Sequence, residues 1–78
     1  MNIVKIIRSR NEFFADVYDE RLNLLESDSF QDEHTLNFYL QTLPRKFEFK
    51  EALIVIHSKS TNTVDLLIAE NEDSFFIR

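Results

Sequence analysis

Two stretches of the chain concentrate side chains able to do chemistry. Glu26-Ser27-Asp28-Ser29-Phe30-Gln31-Asp32-Glu33-His34 gathers four acids and one of the two histidines. Arg45-Lys46-Phe47-Glu48-Phe49-Lys50 interleaves three cations with two aromatics. A divalent-metal site built on the first stretch would need converging ligands. On a helix Asp32 and His34 point roughly 200° apart, so the expectation is no metal. The second histidine, His57, is followed directly by Ser58, but strand neighbours face opposite ways and cannot form a nucleophile–base pair. The basic stretch resembles the charge-and-stacking pattern of single-stranded nucleic acid grooves. It has no wider basic face around it, and an edge with snorkelling cations and core phenylalanines explains it as well.

The strongest exclusion comes from a residue that is missing. The chain has no glycine, whereas average usage near 7% would supply about five. Phosphate-cradling loops, dinucleotide-binding turns and nucleophile elbows all rely on backbone positions that glycine alone tolerates well. No catalytic residue, cofactor or metal is therefore expected, and the chain reads as non-enzymatic. Its turns are expected to use Asn11, Asn23, Asn62 or Asn71 in left-handed conformations.

The 78 residues are expected to form one domain, 1–78, with a small core. Without cysteine, disulfides and thiolate zinc sites are out of reach, which suits a cytoplasmic protein. The longest apolar runs, Ala52–Ile56 and Leu66–Ala69, are far short of the roughly 18 residues a membrane span needs. The start, MNIVKIIRSR, does not read as a signal peptide.

The net charge is −5 but unevenly placed. Lys5, Arg8 and Arg10 occupy the first ten residues with no acid. Residues 11–34 then carry eight acids against Arg21 alone. An acidic balance disfavours direct nucleic acid binding, whose affinity is largely phosphate neutralisation. A basic protein partner, such as a nucleic-acid-binding protein, remains open to it.

Those residues need elements to hold them. Ile3–Ile7 is β-branched and reads as a strand, and Ser9-Arg10-Asn11 as a turn. Residues 12–26 fit either a hairpin turning at Asp19-Glu20-Arg21, with Leu22–Glu26 returning, or one helix; the hairpin is preferred. Asp28 or Ser29 followed by Gln31 or Asp32 resembles a helix cap, which places Asp32 and Glu33 in a first turn that favours acids. Leu36, Leu40 and Leu43 then predict about three helical turns ending before Pro44. Arg45–Lys50 would be an edge or an extended approach. Ala52–His57, Thr63–Ala69 and Ser74–Arg78 read as a three-strand meander. The fold expected is α+β: an antiparallel sheet of five to six strands, order β-β-β-α-β-β-β, with one helix on one face.

The acids exceed what one helix cap requires. Glu12, Asp16, Asp19, Glu20, Asp28, Asp32 and Glu33 are therefore the expected partner-binding residues. The functional expectation is a small acidic protein-interaction domain, of the kind a phage or accessory inhibitor or regulator would use, docking by an acidic face or a β-edge. The second expectation is a nucleic-acid-associated regulator using Arg8, Arg10, Arg45, Lys46 and Lys50. A homodimer paired through the terminal strand is also expected, because Phe75 and Phe76 would point to opposite faces of that strand.

Overall fold

The computed structural model describes residues 1–78. Five strands and one long helix follow one another: β1 (Asn2–Arg8), β2 (Phe13–Tyr18), β3 (Leu24–Phe30), α1 (Glu33–Lys46), β4 (Ala52–Ser58) and β5 (Thr63–Ala69). A short 3-10 turn at Glu72–Ser74 precedes the C-terminus. Residues 12–26 thus form the hairpin and not the helix.

The sheet runs β3-β2-β1-β4-β5. Three pairs are antiparallel, but β1 and β4 are parallel, from Asn2↔Ala52 to Arg8↔Ser58. This corrects the all-antiparallel expectation. The helix is the reason: it leaves the β3 edge, crosses one face, and returns the chain beside β1 pointing the same way. Parallel neighbours need such a crossover. The sheet is α+β and mixed.

Alternation along the central strands buries Val4 and Ile6, Ala15 and Val17, and Ala52, Ile54 and Ile56 on the helix side. Leu36, Leu40 and Leu43 meet them from α1, and all three are fully buried. The helix begins one turn later than the sequence suggests. Asp28 and Ser29 are still in β3, and the cap is Asp32, whose Oδ1 accepts from the Thr35 N–H at 2.7 Å. Glu33 follows in the first turn.

The helix also runs past Pro44, which lies buried in its last turn. Proline removes one backbone bond there but is needed for no further turn, and the helix stops at Lys46 with the Phe47 N–H bonded to the Leu43 carbonyl. Arg45–Lys50 is therefore helix end and loop, not strand, with the Phe47 and Phe49 rings stacked at 5.5 Å.

The third correction concerns Ser74–Arg78, which is not a strand. Phe75 and Ile77 turn into the core instead, 0% and 2% exposed. The tail is held like a strand without being one. Asn37 on α1 accepts from the Ile77 N–H at 2.6 Å and donates to its carbonyl at 2.9 Å. Arg8 donates to the Arg78 carbonyl at 2.7 Å. Phe76, the one of the two phenylalanines left outside the core, is half-buried with the Arg78 guanidinium over its ring. The sheet edges are β3 and β5.

Left-handed backbone occurs at Leu22, Glu48 and Asn62. Only Asn62 was foreseeable from residue type. The other two pay the β-carbon penalty that glycine would have avoided.

Candidate interaction surface

The expected acidic surface does not assemble as one unit. Glu12 lies in the β1–β2 turn, sharing a shallow depression with Glu33, Arg8 and Arg10. Asp32 caps the helix close by in sequence. Asp19 and Glu20 lie beyond the opposite end of β2, about 20 Å along the strand. Between them Asp16 pairs with Lys5 in register on one sheet face, while Asp28 pairs with Ala15 on the other.

Most of these carboxylates are also engaged within the chain. Asp19 accepts from the N–H groups of Arg21 and Asn23 at 2.8 and 2.9 Å, shaping the β2–β3 turn. The Asn23 backbone bond, followed by its side chain, holds the Asp19 carboxyl below its ordinary range. Thr35, first by its backbone N–H and then by its hydroxyl, does the same for Asp32. Asp16 accepts from the Ser27 hydroxyl at 2.7 Å, and Asp28 from the Ser29 N–H at 2.8 Å. Glu20 lies 3.9 Å from the Met1 ammonium.

Sequence reasoning missed the role of Glu26. Its carboxylate accepts from the Tyr39 hydroxyl at 2.6 Å and from the Lys46 ammonium, fastening the middle and the C-terminal end of α1 to edge strand β3. Lys46 and then Tyr39 hold the Glu26 carboxyl low. Burial, reinforced by Glu26, pushes the Tyr39 phenol well above its ordinary value. A carboxylate depressed in the folded state contributes stability above its unfolded pKa and loses it as pH falls through the folded one. Glu26→Gln should therefore destabilise by about 1 kcal/mol near neutrality. The gap from the parent should close as pH falls through and below the ordinary glutamate range, because the folded-state pKa is lowered. Thermal melts across that range check it; a gap independent of pH would mean that the charge is immaterial.

The basic set is likewise mostly engaged. Arg8 binds the C-terminal carbonyl and lies over Phe13, Arg45 pairs with Glu72 at 3.0 Å, and Lys46 pairs with Glu26. Lys50 lines a depression with Glu20, Glu48, Glu51 and Glu70. His34 is in the first turn of α1 and His57 on β4, and no group of three His, Asp or Glu side chains converges as a metal set.

Comparison with protein-family models, with curated proteins and with solved structures gives no match. The surface has to be read from its own chemistry.

The largest uncommitted feature is the sheet face away from the helix. Register places Ile3 and Ile7 of β1, Leu53 and Val55 of β4, and Val64, Leu66 and Ile68 of β5 together there. Nothing in the chain covers β5, where Val64, Leu66 and Ile68 are 59%, 63% and 58% exposed. Leu22, in its left-handed turn, adds to the same face beside Ile3, Tyr18 and Val55. β5 pairs regularly with β4 over all seven residues and carries no lysine, proline or bulge; Asp65, on the helix side, is its one charge against edge pairing. β3, the other edge, carries Glu26, Asp28 and a register shift. The sequence held a signal for this. Ala52–Ile56 and Leu66–Ala69 are apolar without alternation, as strands become when both faces are to be covered. No helix is long and apolar enough to cross a membrane.

Proposed function

We propose that the chain is a small, non-catalytic protein-interaction domain of the cytoplasm that docks a partner protein on its open sheet face and β5 edge. One observation carries this reading: a contiguous aliphatic face left uncovered on β1, β4 and β5. Apolar patches of more than a few hundred Å² mark binding surfaces on soluble domains. An inhibitor or regulator that occupies a partner's surface is the role such a face suits. The scattered acids keep that face from gathering charge and help the free domain stay in solution. The nucleic-acid reading is less favoured, since three of its five cations, Arg8, Arg45 and Lys46, are engaged within the chain, leaving Arg10 and Lys50.

The test uses the tagged chain and its Val64→Asp/Ile68→Asp variant as baits in a native-host lysate. Both side chains are largely exposed, so the variant is expected to fold, as circular dichroism will verify. Proteins, including untagged copies of the chain, retained by the parent should be lost from the variant. Retention by both baits would remove this face from the binding surface, and retention lost only on reversing Asp16, Asp19 and Glu20 would return it to the acids.

A further inference from the structure

We infer that the open sheet face is covered by a second copy of this chain, the two faces stacking as the layers of a sandwich. The inference rests on the interaction reading above and names the partner.

Size is the first argument. The apolar part on β1, β4 and β5, strands about 4.8 Å apart and about seven residues long at 3.3 Å per residue, is on the order of 300 Å² in projection. β2 and β3 extend the face to on the order of 500 Å², with Phe14, Tyr18 and Leu24 among polar positions. Corrugated by side chains, that approaches the roughly 800 Å² per partner that a standard stable interface buries. A twisted sheet face is matched most simply by another of the same twist, packed about 10 Å away. Pairing the two β5 edges alone would lengthen the sheet and leave the face wet.

Charge is the second argument. Two chains of net charge −5 repel unless they meet where the charge is absent. The acids at Asp19, Glu20, Glu12 and Glu33 lie beyond the strand ends. Among strand residues on the open face only Lys5 and Asp16 are ionised, and they are register partners of opposite sign. Two such faces bring together no net charge. On the open face of β4 and β5 a strongly basic or acidic partner would find no charge to pair with, because the positions there are Leu53, Val55, His57, Val64, Leu66 and Ile68, and Asp65 lies on the helix side.

The third argument is the core. Only 16 of 78 residues are buried, and small domains without disulfides or metals commonly complete their apolar burial by association. A symmetric pairing turns a one-sided sheet into a two-sided one.

Sedimentation velocity over a concentration series tests this, with the full chain and two single variants. The parent should approach twice the 9.3 kDa of one chain as concentration rises. Leu66→Asp would place a carboxylate in the dry contact and should raise the dissociation constant at least about a hundredfold, with an unchanged circular dichroism spectrum. Phe38→Asp alters an equally exposed apolar side chain on the helix, 69% exposed, and should leave the dimer intact. A parent that stays monomeric to high micromolar concentration overturns the second copy. So does a dimer that survives Leu66→Asp or is lost in Phe38→Asp. If the parent is monomeric while the Val64→Asp/Ile68→Asp bait still loses a foreign protein, the partner is wrong and the face is right. If neither measurement responds to these residues, both readings fall.

Discussion

Replacing Phe75 by alanine is expected to destabilise the fold by about 3–5 kcal/mol. Phe75 is the largest fully buried side chain, although it lies three positions from the last residue, Arg78, where chains usually fray. The tail stays because Asn37 holds both polar groups of Ile77 and because Ile77 is itself buried. A domain of this size has only about 5 kcal/mol or so to lose, so Phe75→Ala should leave much of the population unfolded at room temperature. Phe76→Ala, whose ring is half-buried beneath Arg78, should have a far smaller effect. Denaturant titrations monitored by circular dichroism would measure both. Equal midpoints for the two variants would mean that the tail does not belong to the core.

Leu40→Ala should weaken the fold by about 2–5 kcal/mol, while Phe38→Ala should change it by less than about 0.5 kcal/mol. Side-chain size alone would predict the reverse. Leu40 is fully buried between two other helix leucines, whereas Phe38 is 69% exposed. The same titrations decide it. A Phe38→Ala penalty approaching that of Leu40→Ala would show that the helix presents a different face to the sheet.

These two results bear on what could be read from residues alone. Local periodicity located β1, the β2–β3 hairpin, the leucine stripe of α1, and strands β4 and β5. Each of those signals is carried by neighbours in sequence. The errors arose where a distant group decides. Ser-Phe-Phe-Ile-Arg has strand composition, yet Asn37, forty residues earlier, supplies the hydrogen bonds a neighbouring strand would have given. The parallel pairing of β1 and β4 leaves no local trace either, because each strand looks the same whichever way its neighbour runs. The helix cap moved from Asp28–Ser29 to Asp32 because β2 offers Ser29 and Phe30 ladder partners at Phe14 and Phe13.

The surface was harder to read than the fold. Acids that are dense along the chain are spread in space, because β2 separates Glu12 from Asp19 by its whole length. The apolar face is legible in the unbroken runs Ala52–Ile56 and Leu66–Ala69, which read locally only as strands.

The central position of β1 has a consequence for the order in which the molecule can be completed. β1, β2 and β3 can pair as soon as the first thirty residues exist, through tight turns at little loop-closure cost. The second neighbour of β1 lies fifty residues away, Ile3 pairing with Leu53. During synthesis β1 therefore waits as a temporary edge, with Val4 and Ile6 uncovered until the helix has formed and β4 has left the ribosome. Folding should be limited by that long-range closure, as non-local pairings generally are. The nascent chain is then most open to misassociation at the strand that ends up most enclosed.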